Sequence, residues 1–182
     1  MQVISSSSLN HEMENIYLVG MMGSGKTSTG RALAQKLSFH FVDLDELICE
    51  QARLTINEIF KRHGEPYFRD CERRLLCEVS NRRKQVVATG GGVVLHPENR
   101  ALMKKNGTVI YLDSKLETLW ERVKDKKDRP LLAHPNPKKM LQELFQTRKP
   151  LYEEVASDVV ITDHKSPEQV AIEISEKLLK SK

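Results

Sequence analysis

Five short runs of β-branched, aromatic or aliphatic residues punctuate the chain at Ile16 to Val19, Phe39 to Val42, Val86 to Ala88, Thr108 to Leu112 and Val159 to Ile161. In each the apolar residues run on instead of alternating with polar ones, which predicts strands buried on both faces. The longer segments between them carry helical periodicity. Several open with caps: Thr55-Ile-Asn-Glu58 and Ser114-Lys-Leu-Glu117 fit the capping box, and Ser166-Pro167-Glu-Gln169 adds a proline at the first helical position. Strand and helix in repeated alternation predict parallel strands joined by right-handed crossovers, and so a three-layer α/β/α arrangement around a five-stranded parallel sheet.

Two stretches break the alternation. Residues 52–80 hold two helical patterns separated by Gly64-Glu-Pro66, which predicts a helical insertion, about residues 46–80, beside the sheet. Residues 124–139, KDKKDRPLLAHPNPKK, contain three prolines and many basic side chains without a core face, and read as a mobile lid. The polar, Ser-rich residues 1–14 have no periodicity and read as a flexible tail, leaving residues 15–182 as one domain.

Composition narrows the function classes. The 182 residues carry 29 Lys and Arg against 25 Asp and Glu, a net charge of +4, too slight to predict a nucleic-acid or membrane surface. No run approaches the roughly 18 apolar residues of a membrane span, and the start has neither the basic end nor the apolar stretch of a secretory signal, which predicts a cytoplasmic chain. Cys49, Cys71 and Cys77 make no C-x-x-C motif and read as reduced thiols on helices; the six histidines form no metal-binding pair.

The sharpest chemical signal is Gly20-Met-Met-Gly23-Ser24-Gly25-Lys26-Thr27, which matches G-x-x-x-x-G-K-[ST] between a predicted strand and a predicted helix. Its backbone N–H groups can cradle phosphates at a helix N-terminus, Lys26 can meet the β and γ phosphates, and the Thr27 hydroxyl can ligate Mg²⁺. Further candidates lie beyond other strand ends, where ligands collect in an open parallel sheet. Asp43-Leu-Asp45 sends two carboxylates to one side if extended, one to hold Mg²⁺ through water and one to accept from a hydroxyl; a pair of turn-forming aspartates is the alternative. Gly90-Gly91-Gly92 offers bare backbone to a ligand. Arg69 and Glu72 share a helix face, where a surface ion pair is the ordinary reading, and Arg148 can supply a second guanidinium fork for a carboxylate. Arg129, in the basic loop, can swing over a triphosphate.

In their order and approximate spacing, the phosphate loop, Asp43-x-Asp45, Phe68-Arg69-x-x-Glu72, the glycine run, Arg129-Pro-Leu-Leu and Arg148-x-Pro-Leu-Tyr152 resemble the shikimate kinase family over about residues 15–179. The resemblance implies a P-loop NTPase fold of the nucleoside monophosphate kinase-like kind, ATP and Mg²⁺, and transfer of the γ-phosphoryl group to the 3-hydroxyl of shikimate on the route to chorismate and the aromatic amino acids. It implies nucleotide contacts at Gly23, Ser24, Gly25, Lys26, Thr27, Ser28, Arg122 and Arg129, with Arg122 against the adenine and Arg129 on the phosphates. Metal ligation falls to Thr27 and Asp43. Shikimate contacts fall to Asp45, Arg69, Arg148 and Gly90 to Gly92, with Glu72 steadying Arg69, Asp45 as base, and Phe60 and Phe68 as the apolar wall. A monomer without nucleic-acid or membrane partners is expected. The rivals are a kinase of the same fold with another acceptor, a silent nucleotide-binding module, and a nucleic-acid binder using the basic lid.

Overall fold

The computed structural model describes residues 14–126 and 128–180. The tail expected at residues 1–14 therefore lies, except for its last residue, outside the described residues. In chain order the elements are β1 (Asn15–Val19), α1 (Lys26–Leu37), β2 (His40–Asp43), α2 (Leu44–Ala52), α3 (Ile56–Ser80), β3 (Gln85–Ala88), α4 (Pro97–Asn106), β4 (Gly107–Asp113), α5 (Leu116–Val123), α6 (Pro137–Val155), β5 (Asp158–Ile161) and α7 (Pro167–Lys180). The five strands are all parallel and lie in the order β2-β3-β1-β4-β5. Ile16 of β1 stands level with Val86 on one side and Thr108 on the other.

The pleat of β1 divides the core in two. Tyr17 and Val19 join a cluster with residues of α2 to α6, while Ile16 and Leu18 join the opposite cluster with Leu33 and Ala34 of α1 and Val170, Ala171 and Ile174 of α7. Helices thus cover both faces of the sheet, in the three layers the alternation of elements predicts.

Local signals explain most element ends. Thr55 and Glu58 form the reciprocal capping box at the start of α3, and Ser166 with Gln169 does the same ahead of α7. Gly64 leaves helical dihedrals, at φ 80° and ψ 170°, and kinks α3 where the Gly-Glu-Pro sequence interrupts its pattern. Beyond the kink, Leu75, Leu76 and Val79 return to the core. Cys49, Cys71 and Cys77, all on α2 or α3, are free thiols.

Three expectations are corrected. Of the two edge strands, β2 and β5, the second is covered on one face only, with Val159 and Ile161 exposed, whereas β2 sets Val42 against one cluster and Phe41 against the other. Ser114 does not cap α5. That helix starts after Lys115 without a side-chain cap bond from its N-cap residue, the Ser114 hydroxyl pairs with Thr162, and the Asp163 carboxylate instead takes the Lys115 N–H and the Thr118 hydroxyl. Finally, the segment 124–139 does own a core contact. Pro130 to Leu132 form a 3-10 turn whose Leu132 is buried in the larger cluster, and α6 already begins at Pro137. No helix among the described residues is long and apolar enough to cross a membrane.

Candidate active site

At the carboxyl edge of the sheet lies a cleft of about 870 Å³. The loop after β1 supplies Met22, Gly23, Ser24 and Gly25 to its wall, and the first turn of α1 adds Lys26, Thr27 and Ser28. The α1 N-terminus carries no acidic residue and no side-chain cap, so its free N–H groups and positive dipole end remain available to an anion. Lys26 bends back on its own loop, donating from Nζ to the carbonyls of Gly20 at 2.8 Å and Met21 at 2.9 Å. Burial draws its pKa down to about 8, against the pull of the Asp45 and Asp43 carboxylates.

The two aspartates converge by a route other than extended alternation. The chain turns into α2 immediately after Asp43, whose Oδ1 caps that helix by accepting the N–H groups of Asp45 at 3.0 Å and Glu46 at 3.3 Å. Its other oxygen, Oδ2, accepts the Thr27 hydroxyl at 2.7 Å. Asp45 therefore projects from the first helical turn. Burial, then the charge of Asp43, raises its pKa, and its Oδ1 has no hydrogen-bond partner.

A smaller pocket of about 60 Å³ adjoins the cleft and shares Met22, Asp45, Gly91 and Arg129 with it. Phe60 and Phe68, with ring centroids 5.1 Å apart, line one side, while Arg69, Arg148 and Gly90 to Gly92 line the others. Arg69 and Glu72 form a buried pair at 2.9 Å, not a surface one, with Glu72 wholly enclosed. Burial pushes the Glu72 pKa up to about 7 against the opposing pull of Arg69. Glu72 lies behind the pocket wall: a Cβ at Gly90 would stand 2.2 Å from Glu72 Oε1 and 2.9 Å from Asp45 Oδ1. At Gly92 it would come within 2.3 Å of the Arg69 guanidinium carbon. The glycine run is thus bare because charged side chains pass against its backbone.

On the far side of the phosphate loop, Arg122 lines the cleft while donating to the carbonyl of Gly23 at 3.1 Å and to Thr162 at Oγ1 and O, 3.2 and 3.0 Å away. Arg129 lines both pockets, and its Nε is buried without a hydrogen-bond partner.

Several contributors are not evident from the sequence. Glu65 accepts from Arg69 Nε and Nη2 at 3.1 and 2.9 Å; its i,i+4 spacing is the one available signal. Asn99, buried on α4, holds the Val93 carbonyl at 2.9 Å just after the glycine run, and no local pattern announces it. Thr162 likewise becomes visible only through the fold.

The donor set suits Mg²⁺. Asp43 Oδ2 and Thr27 Oγ1 are hard oxygens already at hydrogen-bond distance, and no group of three or more acidic, His or Cys side chains among the described residues makes a closed metal cage. Mg²⁺ usually keeps waters and phosphate oxygens, needing few protein ligands. Ser24 Oγ, Asp45 Oδ1 and Arg129 Nε are buried in the cleft wall without hydrogen-bond partners, a cost of about 1–3 kcal/mol each that a polar ligand would relieve.

A phosphate loop at the head of a parallel sheet, an oxygen pair for Mg²⁺ and an adjoining pocket with a free carboxylate define an ATP-dependent P-loop kinase. Residues 22–179 match the family model for shikimate kinase, and the chain belongs to that family. It is 47% identical over 162 residues, 89% of its length and 97% of the other's, to a shikimate kinase of Persephonella marina. It is 44% identical over 153 residues to one from Xylella fastidiosa, covering 84% and 85% of the two chains. The structure of a shikimate kinase from Acinetobacter baumannii in complex with shikimate superposes with a TM-score of 0.91 at 40% identity, over 93% of this chain and 95% of that one. A gluconokinase from Sinorhizobium meliloti, at 19% identity and a TM-score of 0.58, shares the fold alone.

Proposed function

We propose that this chain transfers the γ-phosphoryl group of ATP to the 3-hydroxyl of shikimate, giving shikimate 3-phosphate and ADP, as a cytoplasmic monomer that acts on small molecules and not on nucleic acid or membranes. The observation that carries this reading is the lining of the small pocket. Two buried guanidinium groups, Arg69 and Arg148, line it together with Asp45, which has an unpartnered carboxylate oxygen and also lines the cleft of the phosphate loop. A small polyol with one carboxylate needs both kinds of group.

Lys26 leaves the Gly20 and Met21 carbonyls for the phosphates, joined by the N–H groups of Gly23 to Ser28 and, when the lid is over the cleft, by Arg129. Thr27 and Asp43 hold Mg²⁺, which supplies charge neutralisation of the phosphate oxygens. Arg122 lies against the adenine. Arg69, steadied by Glu72 and Glu65, clasps the carboxylate with Arg148, and the glycine run admits the ring against bare backbone. Asp45 orients the 3-hydroxyl and takes its proton as that oxygen bonds to the γ-phosphorus and the bond to the ADP oxygen breaks. Its raised pKa makes it a better base than an exposed aspartate. Phosphoryl transfer asks mainly for positioning and charge stabilisation, which is what this set of residues offers.

A steady-state assay of ADP release over shikimate, gluconate and AMP tests the acceptor: shikimate must dominate, and equal turnover with either competitor overturns the assignment. Asp45→Asn is expected to bind ATP as the parent does and to lose about 10²- to 10⁴-fold in turnover.

A further inference from the structure

Tyr152 is wholly buried on α6, yet its hydroxyl stands where both halves of the site meet. It donates to the carbonyl of Gly91, the middle residue of the glycine run, and lies 3.5 Å from the sulfur of Met21 in the phosphate loop. Its one proton goes to the carbonyl, the stronger acceptor, which leaves the phenol oxygen free to accept from Arg148. Gly91 itself is wedged between the two sites: a Cβ there would sit 3.5 Å from Arg148 Nη1, 3.5 Å from Met22 N and 3.6 Å from Gly20 O. Met21 is in turn tied to the nucleotide side, because its carbonyl accepts Lys26 Nζ at 2.9 Å.

We propose that Tyr152 is a positioning residue that couples the two substrates, its hydroxyl setting the glycine loop and Arg148 according to the state of the phosphate loop at Met21. The chain of contacts is short. A phosphate that draws Lys26 away frees the Met21 peptide to shift. The thioether on the phenol feels that shift, and the phenol passes it to the Gly91 carbonyl and the Arg148 guanidinium, both on the wall of the acceptor pocket. Coupling of this kind is reciprocal, so shikimate must tighten nucleotide binding by the same factor. The proposal rests on the functional reading above, and it concerns a residue outside the set that touches the reacting groups.

The neighbouring Tyr111 provides a control. It is equally buried and stacks on Tyr152 at 5.2 Å, but its hydroxyl donates to Asp113 Oδ1 at 2.7 Å and touches neither loop. Calorimetric titration of shikimate, with and without saturating ADP, is to be run on the parent, Tyr152→Phe and Tyr111→Phe. In the parent and in Tyr111→Phe, ADP should tighten shikimate binding at least about fivefold, a modest coupling by general standards. In Tyr152→Phe the ratio should fall below about twofold, while ADP alone binds within about twofold of the parent. A parent ratio retained in Tyr152→Phe, an equal loss in Tyr111→Phe, or a parent without coupling overturns the proposal. Failure of the parent to bind shikimate at all overturns the functional reading, and the proposal with it. Should Tyr152→Phe not accumulate as folded protein, hydrogen exchange on the parent decides: ADP alone must slow exchange at residues 91–93, and unchanged protection there overturns the coupling.

Discussion

Glu72 shows how much one side chain is asked to tolerate here. It is fully enclosed, carries one oxygen without a partner, and offers the other to Arg69. Its pKa stands near 7, raised first by burial and also by the Asp45 charge, against 4.5 for an ordinary glutamate. Between those values the native state binds more protons than the unfolded chain, so stability falls as pH rises from 4.5 towards 7 and levels off above. The Glu72 share is about 3 kcal/mol at most. Denaturant unfolding of the parent and Glu72→Gln across this range should show the decline in the parent and a flatter curve in the variant; parallel curves would remove Glu72 as its source. The sequence shows the Arg69–Glu72 spacing but not its burial. Three-residue spacing is common on exposed helix faces, and the close approach of Gly90 to Glu72 and of Gly92 to Arg69 comes from a part of the chain the spacing does not show.

At the scale of elements, the legible signals are those completed within a few residues. The phosphate loop, the capping boxes at Thr55 and Ser166 and the break at Gly64 all have both partners close in the chain. Features fixed by distant partners are not legible. Strand position within the sheet decides that β5 has an exposed face, and Ser114 loses its expected cap to an encounter with Thr162, 48 positions away. Asp43 and Asp45 do converge, but not along an extended backbone, because a helix begins between them. The glycine run is tightly set by its surroundings at Gly90 and Gly92. Gly92→Ala places a methyl group on the Arg69 guanidinium, and relieving such a clash typically costs about 1–3 kcal/mol. The Michaelis constant for shikimate should rise about tenfold or more while nucleotide affinity stays within about twofold. An unchanged constant would mean that Arg69 can yield without loss.

Across the whole molecule, β1 and its loop sit at the centre of the sheet. The proposed acceptor residues Asp45 and Gly90 to Gly92 follow β2 and β3, whereas Arg122, the proposed nucleotide contact, is anchored by Thr162 beyond β5, on the other side of β1; Arg148, on α6, is the proposed acceptor residue that crosses this division. Damage at the Arg122 anchor should therefore register on the nucleotide. Thr162→Val removes the hydroxyl that accepts from Arg122, and is expected to raise the Michaelis constant for ATP several-fold, about the worth of a hydrogen bond to a charged group, with that for shikimate within about twofold. Equal changes in both constants would argue against the division.

The cap on α2 has a consequence for how such a site can change over generations. One carboxylate, Asp43, starts the helix that presents the proposed base and also faces the Thr27 hydroxyl where the metal is expected. A mutation there acts twice, once on folding and once on chemistry, so the position has little room to drift. Asparagine, which caps as well as aspartate but carries no charge, is a replacement that would separate the two effects.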